Sequence, residues 1–151
     1  MATQNLTRKA GMHKKREERV FTAILDYSDT SELDITTSAD VYELFKLPAN
    51  SYVTVAELLM LTASDSATSA AADVGFAGGD TLIDGANLKS AANTKLSGGT
   101  NAVVPQLKTT ASTVTFKPTF TGATTVGKWL LRISYVEIDM TNGELTEFSS
   151  T

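Results

Sequence analysis

Apolar and polar residues alternate with a period of two along much of the chain. The clearest stretch is 127–140, GKWLLRISYVEIDM, where Trp129, Leu131, Ile133 and Tyr135 share one face and Leu130, Arg132, Ser134, Val136 and Ile138 the other. Such alternation is the mark of a strand with one face turned to a core. Residues 20–27, VFTAILDY, set Phe21, Ala23, Leu25 and Tyr27 against Val20, Thr22, Ile24 and Asp26. A further strand at 112–120 sets Val114 and Phe116 against Thr113, Thr115 and Lys117. A strand at 41–47 stops at Pro48, which has no N–H for a ladder, and LPANS makes a corner. In 52–62, Val53, Val55, Leu59 and Leu61 fall on one face and Tyr52, Ala56, Leu58 and Met60 on the other, which predicts a strand buried on both sides; AELLML taken alone also suits a helix.

Between these strands lie turns. A loop leads into a short strand at 73–76, followed by GFAGGDTLIDG, residues 75–85. Three readings of this motif compete. A phosphate loop needs glycines feeding a helix N-terminus, whereas here Asp80 follows them and would repel phosphate. A calcium-binding β-roll repeat matches at Gly75, Gly78, Asp80 and Leu82, but Phe76 replaces its second glycine and the motif occurs once. The third reading is a tight turn with positive φ at Gly78-Gly79 and with Asp80 and Asp84 hydrogen-bonded to turn backbone, and it is the one adopted. Residues 87–108 are rich in Ser, Gly, Asn and Ala, a long excursion with one helical turn at LKSAAN; such a loop in a compact domain is functional or covered by a partner. Asn142-Gly143 supplies a hairpin dipeptide after which ELTEF returns. Seven or eight strands and no long helix predict an all-β protein, an antiparallel β-sandwich or jelly roll over residues 20–151, preceded by a polar arm at 1–19.

Charge sharpens this division. The arm carries Arg8, Lys9, Lys14, Lys15, Arg16 and Arg19 against Glu17 and Glu18, a net +4, so that the body must carry −8 of a chain whose total is −4. A basic arm on an acidic body suits an acidic protein surface; with no interleaved aromatics or nucleic-acid motif, nucleic acid is not the expected partner. The longest apolar run, Leu58-Leu59-Met60-Leu61, is far below the roughly 20 residues that cross a bilayer, and no apolar segment of signal-peptide type follows Met1.

Candidate chemistry is sparse. The chain has no cysteine and a single histidine, His13, in the arm, so thiolate chemistry, histidine triads and the common zinc sets lack their residues. No catalytic residue, metal or cofactor is expected. Asp26, Asp29, Glu32, Asp34 and Asp40 crowd one region and could in principle supply a hydrolytic carboxylate pair, but their setting reads as a surface turn. Trp129 and Tyr135, at alternate strand positions, read as core rather than as a sugar platform.

The order of strands and turns resembles small virion structural proteins of tailed bacteriophages. The resemblance rests on a strand leading into Leu47-Pro48-Ala49, an apolar strand at 53–61, Asp73-Val74-Gly75 with its aspartate-glycine loop at 80–85, and a late G-K-x-x-L-x-I-x-Y strand at 127–135. It covers roughly 41–138. It implies a non-enzymatic capsid cement or decoration protein on the virion surface, assembled in the host cytoplasm, whose partner is the major capsid protein and which forms a homo-oligomer, with a trimer favoured. The arm is outside the resemblance; its charge makes Arg8, Lys9, Lys14, Lys15, Arg16 and Arg19 the expected capsid-binding residues. The alternative is a head-fibre, tail-fibre or spike component that binds a host glycan through its loops.

Overall fold

The computed structural model describes residues 18–29 and 35–138. They form nine strands: β1 (Arg19–Asp26), β2 (Tyr42–Leu47), β3 (Ser51–Thr62), β4 (Ser69–Phe76), β5 (Ile83–Asn87), β6 (Lys95–Leu96), β7 (Gln106–Lys108), β8 (Ser112–Thr121) and β9 (Lys128–Glu137). All ladders between them are antiparallel. One sheet, A, runs β1-β9-β3 and then β6 and β7, which pair with successive parts of β3; the other, B, runs β2-β8-β4-β5. Counting β6 and β7 as one interrupted strand, this is the order of an eight-stranded jelly roll, and the antiparallel all-β sandwich is the fold class expected from the sequence. None of the described residues is helical.

The core lies between the sheets and follows the predicted alternation. In β9, Trp129, Leu131 and Ile133 are fully buried and Tyr135 nearly so, so both aromatics belong to the core. Facing them from sheet B are Val114 and Phe116 of β8 and Ala70, Ala72 and Val74 of β4. Phe116 and Phe120 bracket Trp129, with ring centroids 6.3 and 6.4 Å away, and Phe21 of β1 stacks on Phe45 of β2 at 4.0 Å. A buried aromatic of this size removes on the order of 200 Å² from water, worth about 5 kcal/mol before conformational entropy is subtracted.

Strand β3 departs from its expected facing. Val53 points into the core, but so do Ala56, Leu58 and Met60, while Val55 and Leu59 are only half-buried and Leu61 is exposed. The cause is a register shift between Val53 and Val55 against β9, a bulge that adds one residue and reverses which parity faces inward. Thus the strand has one core face and one outer face.

The 87–108 excursion contains two consecutive turns, closed by Ser90 N–H to Asn87 O (3.1 Å) and Thr94 N–H to Ala91 O (3.1 Å), in place of the helical turn expected at LKSAAN. It then lies along the edge of β3 as β6 and β7. At one end of the sandwich the loops are tied together: Asp65 accepts from Thr125 N–H, Thr125 Oγ1 and Val126 N–H, and Lys89 Nζ donates to Ser66 O (2.5 Å). Those three bonds, the Thr125 hydroxyl first, hold the Asp65 carboxyl down to about 2. Residues 18 and 138 both lie at the opposite end, since Arg19 pairs with Tyr135 and Ser51 with Glu137. The expected 142–143 hairpin falls outside the described residues.

Candidate interaction surfaces

Of the expected arm residues, Arg8, Lys9, Lys14, Lys15 and Arg16 lie outside the described residues. Arg19 is the first residue of β1, and its guanidinium makes a close ion pair, without the alignment of a hydrogen bond, to Glu137 of β9 (2.8 Å). Just before it, Glu18 accepts a hydrogen bond from Thr54 Oγ1 of β3 (2.8 Å). The root of the arm is therefore fastened across the outer side of sheet A.

That outer side has a distinctive composition. The register aligns Ile24, Leu130 and Leu59 in one row across β1, β9 and β3, and Val20, Ser134 and Val55 in another. Ile24 is 61% exposed and Val20 49%. Leu61 and Leu107 add exposed apolar surface at the margin. Between these two rows, apolar but for Ser134, runs a charged one: Arg132 donates to Glu57 Oε1 at 3.0 Å, and Lys95 lies 3.4 Å from Glu57 Oε2. The Arg132 hydrogen bond, opposed by partial burial and helped by Lys95, holds the Glu57 carboxyl below its usual range. At the margin Asp26 pairs with Lys128 at 2.8 Å and accepts from Ser28; these bonds, Lys128 first, bring Asp26 down to about 2 and push Lys128 up.

The outer side of sheet B is different. Its rows pair Ala71 with Thr119, Asp73 with Lys117 and Gly75 with Thr115, all small or polar. Asp73 is engaged by Gly85 N–H (2.9 Å) and Thr115 by Gly78 N–H (3.0 Å).

The glycine-aspartate motif has become a turn that packs on this sheet. Ala77 and Gly78 hold positive φ (53° and 78°), and Gly79 N–H donates to Phe76 O, so the positive-φ pair falls one residue earlier than Gly78-Gly79. The turn folds back so closely that a Cβ on Gly75 would lie 2.4 Å from Gly79 O. Asp80 and Asp84 do not bond to turn backbone; they accept from the side-chain amide and the backbone N–H of Asn101, both at 2.9 Å, and so anchor the excursion. Among the described residues no three of His, Asp or Glu gather in a metal-binding group. Of the five clustered carboxylates, Asp26 is committed to Lys128, and Glu32 and Asp34 lie outside the described residues. Sequence reasoning missed the rows on sheet A, because cross-strand alignment depends on register; the signal within reach was Val20, Thr22 and Ile24 on the polar-expected side of 20–27.

No family model and no curated protein matches the chain. Solved structures do match in fold. A chain of the cyanophage Pam1 capsid asymmetric unit superposes with a TM-score of 0.56 at 16% identity, over 80% of this chain and 84% of that one. A chain of the acidic stable capsid of Helicobacter pylori bacteriophage KHP30 gives 0.55 at 16% identity, over 80% and 92%. A chain of the capsid of Ralstonia phage GP4 gives 0.55 at 19% identity, over 80% and 86%. In each case most of both chains is covered, so the matched chains are of comparable length, and the fold of this protein is one found in the capsids of three phages.

Proposed function

We propose that the protein is a non-enzymatic virion component, a capsid cement or decoration protein that binds the shell formed by a major capsid protein and stabilises it from outside. The observation that carries this reading is the shared jelly roll, matched over 80% of this chain and 84–92% of chains of similar length in phage capsid structures. The surfaces support it. A basic arm, 1–19, is rooted across an outer face with exposed apolar rows, and the body carries an opposite charge. In this reading Arg8, Lys9, Lys14, Lys15 and Arg16 contact acidic shell subunits. Arg19 fixes the direction in which the arm leaves through its pair with Glu137. Several copies assemble together, three being the number the sequence resemblance implies.

The fibre or spike reading requires aromatic side chains presented by loops to a glycan. Among the described residues the large exposed hydrophobic side chains are all aliphatic. The cement reading is tested by deleting residues 2–17, which leaves Glu18 and β1 intact. The truncated chain is expected to keep its far-ultraviolet spectrum and unfolding midpoint and to lose occupancy on empty capsids. Unchanged occupancy would overturn the role of the arm.

A further inference from the structure

An edge strand with unpaired backbone groups is a template for another strand, and proteins guard such edges with bulges, charges, brevity or a covering segment. Three of the four sheet edges here are guarded. Strand β2 has a register shift between Glu43 and Phe45, and exposes Glu43 and Lys46. Strand β5 is bridged to the excursion through Ile83 and Gly98, with Asp84 N–H donating to Gly98 O (2.8 Å). The edge beyond β3 is made of β6 and β7, two and three residues long.

Among the described residues, strand β1 has none of these guards along its middle. It pairs with β9 over eight residues without a register shift, and among the described residues with no other strand. Tyr27 N–H donates to Gly127 O (2.8 Å), which sets the phase of the ladder. Bonded pairs alternate in an antiparallel ladder, so Leu25, Ala23 and Phe21 bond to β9. The N–H and C=O groups of Val20, Thr22 and Ile24 consequently point out of the sheet. All three residues are exposed, and all three are β-branched, the type that best suits a pleated edge.

We infer that this edge is a docking site for β1 of a second copy of the chain, paired antiparallel across a two-fold axis through Thr22. The strand is self-complementary in that register. Thr22 meets Thr22 of the second copy, Val20 meets Ile24 and Ile24 meets Val20, which places β-branched side chains opposite one another and lets about six backbone hydrogen bonds form. At its ends Glu18 faces Asp26 of the second copy. Both carboxylates already have partners within the chain, Glu18 in Thr54 and Asp26 in Lys128 and Ser28. The contact would join sheet A of one copy to sheet A of the other, a continuous sheet with the apolar rows on one side. It stands independently of capsid binding, and it allows further contacts that build a larger assembly.

The absence of cysteine gives a clean test with the purified full chain. In the paired register two Thr22 Cα atoms lie about 5.5 Å apart, within disulfide range. Thr22→Cys is expected to form a covalent dimer under mild oxidation at least tenfold faster than Thr119→Cys on the outer side of sheet B, and Ile24→Lys added to it should abolish that advantage. Cross-linking no faster than the Thr119→Cys control would overturn the proposal. So would a three-fold assembly by light scattering whose Thr22→Cys form does not cross-link. As a measurement that needs no substitution, amide exchange at Val20, Thr22 and Ile24 should slow as protein concentration rises. Slowing only when capsids are added would overturn the proposal and give the edge to a shell segment.

Discussion

The two outer faces of the sandwich are built on the same pleat and serve different ends. On sheet B the side chains of β4 and β8 that point away from the core are small or polar, with Asp73 engaged by Gly85 N–H and Thr115 by Gly78 N–H, and Val41, just before β2, is the exposed apolar residue beside them. On sheet A, Val20 and Ile24 stand 49% and 61% exposed, with the charges between and beside them tied up in pairs. A face whose charged groups have partners and whose apolar groups do not is one that loses little when water leaves and gains when apolar surface is covered. The difference teaches that sheet A, at whose outer side Glu18 and Arg19 are fastened, leaves more apolar surface uncovered than sheet B.

Five substitutions break or sharpen this contrast. The largest effect belongs to sheet B: Gly75→Ala drives a methyl into the backbone of its own turn, 2.4 Å from Gly79 O, and should cost about 3 kcal/mol in denaturant unfolding. A cost near zero would show that the turn is not seated as described. The next concerns acid. Asp26 is brought from 3.8 to about 2 in the fold, so its stabilising contribution is complete above the unfolded value and is lost as the pH falls from about 4 to 2. Unfolding midpoints measured across that range should fall, and Asp26→Asn should flatten part of the fall, leaving the part due to Asp65, which shares the window. A third, smaller effect is that of Glu57→Gln, which removes the carboxylate shared by Arg132 and Lys95 and should cost roughly 0.5–1 kcal/mol, since all three side chains reach solvent. A loss of several kcal/mol would mean that this row carries the sheet. Smallest for the isolated domain are Ile24→Lys and Thr119→Lys, each within about 0.5 kcal/mol of the parent. Their effects on association should part company: Ile24→Lys weakens it at least tenfold and Thr119→Lys leaves it unchanged.

Legibility in the sequence followed the regularity of each segment. Strand β9 was readable residue by residue, because ten regular positions keep one parity throughout. Strand β3 was located correctly and turned the wrong way in part, since nothing in Val53-Thr54-Val55 announces that the ladder gains a residue there. Strand β5, IDGAN, was lost among turn residues, and β6 and β7 are too short to show alternation; all three exist because neighbouring strands supply their hydrogen bonds. The aspartates at 80 and 84 were correctly read as structural but given the wrong partner, as Asn101 lies 21 and 17 residues away in the chain. The excess of positive charge in residues 1–19 is a property of the sequence itself. The face at which Glu18 is fastened depended on its side chain meeting Thr54 of β3, a strand that does not neighbour β1 in the sheet.

The central claim is that this jelly roll works on the outside of a capsid. The most direct test is co-sedimentation of the purified chain with empty phage capsids over a range of concentrations. The account predicts saturable binding at a fixed ratio to the shell protein. A chain that stays in the supernatant at every concentration, while remaining folded, would contradict it.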